Sequence, residues 1–136
     1  MRIAVCLPQV PFAWGGAEIL SERLVDELRA RDHQAELVTV PFKWYPGERV
    51  LTQAFLWRLL DLEESDGRPI DLVIATKFPS YAVRHPRKVV WLLHQFRQVE
   101  TRFLNRPLGE DELAGIDERI REIVFAPLDY AILART

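Results

Sequence analysis

One cysteine, Cys6, is all that this 136-residue chain contains. An internal disulfide and a cysteine-built zinc site are therefore excluded, and a reducing compartment, by default the cytoplasm, is expected. A basic excess is missing too: Lys and Arg total 18 against 20 for Asp and Glu, a net charge of -2, which argues against nucleic acid as a partner. No apolar run approaches the roughly 18 residues of a membrane span. Ile3 to Leu7 and Val10 to Trp14 come nearest, but Pro8, Gln9 and Pro11 interrupt them, and Arg2 alone makes a poor signal-peptide start. A soluble protein that keeps its N-terminus is expected. Repeats and low-complexity tracts are absent as well. What remains, 49% hydrophobic and 28% charged, suits one globular domain over residues 1–136.

The apolar residues that are present have two periods. Ile3 to Leu7 is a short, nearly continuous β-branched run that predicts a strand covered on both faces. After Gly15 and Gly16, the residues Ala17, Leu20, Leu24 and Leu28 recur at helical spacing, and Ala35 to Val40 predicts a second strand stopped by Pro41. Leu51, Phe55, Leu59 and Leu62 mark a second helix, with Ser65 to Pro69 as the turn out of it. Strands follow at Ile70 to Ala75 and Lys88 to Leu93, separated by a Pro-rich stretch with room for one helical turn. Leu113, Ile116, Ile120, Ile123 and Val124 predict a third helix, and Tyr130 to Ala134 a fifth strand. Strands alternating with helices predict an α/β, Rossmann-like, mostly parallel sheet with helices on both faces. Ligands of such sheets bind beyond the carboxyl ends of the strands.

Candidate chemistry is sought at that edge. Gly15 and Gly16 stand directly before the first helix, where unpaired N–H groups and the helix dipole favour an anion. The residues leave two readings open: a phosphate cradle, or a loop needing unusual dihedral angles. Neither GxGxxG nor GxxxxGK[ST] is present. His94 ends a strand and is either a ligand contact or a satisfied structural histidine, while Lys77, Gln95 and Arg97 follow strands and are polar groups at the ligand edge or simply solvated. Trp14, Phe42, Trp44, Tyr45, Phe78 and Tyr81 fall in the loops at this edge, where stacking on a ligand, core packing or a cover for a missing domain would each account for them. Glu18, in the first helical turn, is assigned to dipole stabilisation alone. His33 and His85 are expected to be solvated.

The order Gly15-Gly16-Ala17-Glu18 opening a helix, Arg31-Asp32-His33 closing it, Asp71 to Thr76, and Val89 to His94 resembles the N-terminal domain of family 4 glycosyltransferases of the GT-B fold. The likeness runs to about Gln98. It departs at Asp32, where that family usually has glycine. The position is a helix C-cap needing φ > 0, which Asp tolerates at modest cost.

The resemblance implies the acceptor-side half of a retaining glycosyltransferase, incomplete at its C-terminus and lacking the second Rossmann domain that holds the donor. It assigns Gly15 and Gly16 to the donor diphosphate and His94 to the reacting sugar. Lys77, Gln95, Arg97 and Trp44 become candidate acceptor contacts. The partners implied are a nucleotide-sugar donor and an acceptor hydroxyl, with no cofactor and no metal. The family's paired glutamates, separated by seven residues, are matched in spacing by Glu110 and Glu118. Those two lie on a solvent-facing helical stripe, so the match is rejected. With one wall of a cleft, the chain alone should turn nothing over, and under-covered Ile132 and Leu133 should promote self-association. The alternative is a non-catalytic α/β binding or protein-interaction module; a flavodoxin-like nucleotide binder lacks its Ser/Thr-rich phosphate loop.

Overall fold

The computed structural model describes residues 1–43, 45, 49–91 and 93. Its elements in chain order are β1 (Arg2–Gln9), α1 (Gly16–Ala30), β2 (Gln34–Pro41), α2 (Arg49–Leu59), β3 (Glu64–Ser65), β4 (Arg68–Pro69), β5 (Leu72–Ala75), a single 3-10 turn (Ser80–Ala82) and β6 (Lys88–Val90). Four strands form one parallel sheet in the order β2-β1-β5-β6, and a helix packs on each face, so the chain is of the α/β class. The third helix and fifth strand expected from the sequence lie outside the described residues.

β1 is central and buried from Ile3 through Pro8, as its continuous apolar run requires. Its side chains alternate between two layers. Ile3 and Val5 meet Val25, Leu24 and Leu28 of α1, whereas Ala4 and Cys6 meet Trp57 of α2. β1 pairs with β2 from Arg2↔Gln34 to Gln9↔Pro41. β2 thus ends at Pro41, with the proline taken in as its last residue. The strand lies at the sheet edge, where a residue without an N–H is tolerated. β5 is shorter than the expected Ile70 to Ala75, because the Ile70 N–H donates to Glu63 instead (2.9 Å).

Both helices present a face rotated from the one their leucines predict. In α1 the buried positions are Glu18, Ser21 and Val25, with Leu24 and Leu28 half-buried and Leu20 exposed. In α2 they are Val50, Ala54 and Trp57, while Phe55 and Leu59 face outward. Trp57 explains the second rotation, since an indole buries more apolar area than any leucine in the helix. In the first, the buried positions include the small Ser21.

Ser65 to Pro69 is more than a turn. Asp66 (φ 54) and Gly67 (φ 71) join β3 to β4 as an antiparallel hairpin, the Asp-Gly solution for two successive positive φ angles. The Arg2 guanidinium clamps this hairpin to the start of β1 through the carbonyls of Ser65 (3.2 Å), Arg68 (2.7 Å) and Pro69 (3.3 Å).

Candidate functional site

Parallel strands bring the loops after β1, β5 and β6 to one edge. The loop after β1 opens with a turn closed by Ala13 N–H to the Val10 carbonyl (3.2 Å). Its third residue, Phe12, has φ 64 and is fully exposed (109%), and Trp14 is 53% exposed. A bulky residue in the left-handed region is strained. Gly15 then caps α1 from an extended conformation (φ -146, ψ -160), and its carbonyl accepts the first helical N–H, from Ile19 (3.1 Å). The N–H groups of Gly16, Ala17 and Glu18 precede any intrahelical acceptor.

Neither glycine has a positive φ; among the described glycines Gly67 alone does. A Cβ on Gly16 would meet nothing within 4 Å, and one on Gly15 would meet only Glu18 Oε2, at 3.6 Å. The loop-geometry reading of this pair thus finds no support, and the backbone at Gly16 is open to close approach from outside.

Glu18 is buried. Its Oε2 accepts the Gly15 N–H (3.0 Å), so beyond the dipole role expected of it the side chain also caps the helix. Its Oε1 lies 3.6 Å from the Lys77 ammonium, with the two side chains 9% and 12% exposed. Lys77 is therefore not a solvated edge residue: it is paired across the seam between the β1 and β5 loops. Its backbone is fixed by Ser80, whose hydroxyl donates to the Lys77 carbonyl (2.6 Å) and accepts the N–H groups of Thr76 (3.2 Å) and Lys77 (3.3 Å). Thr76 in turn donates its hydroxyl to the Cys6 carbonyl (2.8 Å). Sequence reasoning assigns these locking roles to neither Ser80 nor Thr76, although a Ser hydroxyl bonding a carbonyl three residues back is a recurrent local turn.

The edge extends to β6 through Trp91 N–H to Ala75 (2.7 Å) and Leu93 N–H to Thr76 (3.0 Å). His94, Gln95, Arg97 and Trp44 lie outside the described residues. Of the loop aromatics, Phe42, Phe78 and Tyr81 are core, with Phe78 edge-on to both others at 6.4 and 5.7 Å. Trp14 and Tyr45 remain exposed, with the Lys43 ammonium 4.9 Å above the Tyr45 ring.

The other candidates serve the fold. Cys6 is buried and its thiol is pushed up to about 12, burial outweighing the nearby Lys88 charge, so it is no nucleophile at neutral pH. Lys88 donates to the carbonyls of Tyr81 (2.8 Å) and Val83 (3.0 Å); burial and then Arg58 lower its pKa. His85 is not solvated. Half-buried, it holds the Ile70 carbonyl through Nε2 (2.9 Å) and accepts the Arg87 N–H at Nδ1 (2.9 Å). His33 Nδ1 lies 3.2 Å from the Met1 ammonium. A cleft of about 650 Å³ at the opposite edge mixes Arg2, Arg29 and His33 with Glu36, Asp61 and Glu64. Both arginines there are bound to backbone carbonyls. Among the described residues no group of three His, Cys, Asp or Glu is placed to hold a metal, and no helix is long and apolar enough to cross a membrane.

No protein-family model, no curated protein and no solved structure matches this chain. Its class, an α/β domain with a parallel sheet, therefore rests on the geometry above.

Proposed function

We propose that this chain is the acceptor-side wall of a retaining nucleotide-sugar glycosyltransferase of the GT-B type, with the donor diphosphate received at Gly15 and Gly16. One observation carries the reading: neither the backbone dihedrals nor the packing around it requires a glycine at position 16. A residue without Cβ beside unpaired helix-start amides is what close approach of an anion calls for. The resemblance of the Gly15 to Glu18 and Asp71 to Thr76 segments to family 4 glycosyltransferases supplies the identity of that anion.

In this reading an acceptor hydroxyl attacks the anomeric carbon as the bond to the diphosphate oxygen breaks. The hydroxyl proton passes to the departing phosphate, and the amides of Gly16 and Ala17 stabilise its charge. His94 acts on the reacting sugar, with Gln95, Arg97 and Trp44 as acceptor contacts. A second Rossmann domain, in the same polypeptide or on a partner, supplies the nucleoside site, and the compartment is the cytoplasm. The second reading, a protein-docking module, draws on the exposed Phe12, Trp14 and Tyr45 at this edge.

The test supplies nucleotide sugars to residues 1–136 and to the protein with its donor-binding wall, and measures nucleoside diphosphate release. The isolated chain should release none. In the two-walled protein His94→Ala should lower kcat by about 10². Turnover that survives the substitution, with only Tm reduced, contradicts the role of His94; a two-walled protein inert toward every donor favours the docking module.

A further inference from the structure

We propose that the Glu18 carboxylate is an internal competitor for the anion seat at the start of α1, displaced to Ser21 when a diphosphate takes Lys77 from it. The proposal rests on the reading of Gly15 and Gly16 above and adds how that seat is regulated. Three features carry it.

The seat is partly filled by the chain's own anion, since Glu18 Oε2 accepts the Gly15 N–H at 3.0 Å. Second, the Lys77 ammonium is almost withdrawn from water, and among the described residues Glu18 is the anion paired with it. At 3.6 Å that pairing is looser than a hydrogen bond. An ammonium has three donors, so Lys77 keeps donor capacity for a second anion, and Glu18 links it to the helix start through Gly15. Third, the Ser21 hydroxyl is fully buried and has no hydrogen-bond partner, a state that costs free energy until a partner is supplied. Ser21 stands three residues after Glu18, on the same face of α1 and within side-chain reach. A carboxylate leaving Gly15 therefore has a second donor waiting one turn along the helix.

The two positions are discrete. With no ligand, Glu18 bridges Gly15 and Lys77. A diphosphate carries more charge and more acceptor oxygens than one carboxylate, so it takes the ammonium and the amides. Like-charge repulsion then drives Glu18 away, and its new bond to Ser21 satisfies the buried hydroxyl. The protein thereby admits a polyanion while holding the seat against weaker monoanions.

An ion pair that merely supports the fold and a competitor differ in sign. If the pair is structural, Glu18→Gln and Lys77→Gln both weaken binding. If Glu18 competes, Glu18→Gln strengthens binding while Lys77→Gln weakens it, and the glutamine carbonyl still caps Gly15. Isothermal titration of residues 1–136 with inorganic pyrophosphate at fixed low ionic strength reads this directly. Expected are an affinity about tenfold higher for Glu18→Gln, about tenfold lower for Lys77→Gln, and about threefold lower for Ser21→Ala with Tm unchanged or raised. Wild type that binds pyrophosphate no more weakly than Glu18→Gln overturns the competitor and leaves the anion seat standing. Pyrophosphate ignored by both overturns the seat and the competitor together. Should Glu18→Gln fail to fold, Ser21→Ala carries the test, and an affinity equal to wild type overturns the two-position mechanism.

Discussion

At Asp32 the chain enters the left-handed region (φ 64). His33 N–H reaches back to the Leu28 carbonyl and Asp32 N–H to Arg29, both at 3.1 Å, which is the doubly bonded helix ending that glycine usually provides. Aspartate tolerates this conformation at a cost, so Asp32→Gly should raise unfolding stability by about 0.5 kcal/mol, relief of strain exceeding the added freedom of the unfolded chain. Urea denaturation checks it, and a loss of stability would contradict the assignment. Cys6 gives a pH-dependent counterpart. Its thiol, raised by burial from 9.0 to about 12, keeps its proton in the folded chain where the unfolded chain loses it, so stability falls as pH climbs from 9.0 toward 12. Lys88 opposes this, because its pKa is lowered from 10.5 and the cost of burying its charge is relieved as pH rises through the lowered value. Cys6→Ala lacks the thiol contribution. The stability gap between it and wild type should narrow above pH 9 by about 1.4 kcal/mol per unit; a constant gap would contradict a buried thiol.

Helix rotation is the clearest consequence at the next scale. Trp57 is 1% exposed whereas Leu59, two residues on, is 82% exposed. Trp57→Ala should cost about 3–5 kcal/mol and Leu59→Ser no more than about 0.5 kcal/mol, read from urea midpoints; comparable losses would mean that α2 presents the leucine face. Periodicity alone indicated that α2 exists but not which way it turns, because Val50, Ala54 and Trp57 make a stripe as regular as Leu51, Phe55 and Leu59. Strand identities were legible because β-branched runs between turn residues have few alternatives, and the one-turn helix before β6 followed from its prolines. The β3–β4 hairpin was hidden by its two-residue strands, though Asp66-Gly67 announced its turn. At the site, the place of Gly15 and Gly16 before α1 and of Glu18 in its first turn could be read locally, whereas the Glu18 side-chain bond to the Gly15 N–H could not. The Glu18–Lys77 pair could not, since it exists only because β5 lies beside β1 and brings distant segments of the chain to one edge.

Among the described residues the main sheet is parallel, and its strand ends, the start of α1 and the loop-locking hydroxyls lie at the carboxyl edge, as the connection rules for such sheets dictate. Ser80 holds the Lys77 backbone, Thr76 ties that loop to Cys6, Glu18 meets the Lys77 ammonium from α1, and a Cβ on Gly16 would meet nothing within 4 Å. The net charge of -2 gives no general attraction for anions, so anion binding here has to be local. The proposed diphosphate seat at the start of α1 is tested by a titration of ¹⁵N-labelled residues 1–136 with a nucleoside diphosphate, followed amide by amide. Saturable shifts concentrated at Gly15, Gly16, Ala17 and Glu18, and abolished by Gly16→Val in a protein that otherwise keeps its spectrum, are the predicted result. Shifts that fail to saturate, that fall elsewhere, or that persist in Gly16→Val would contradict it.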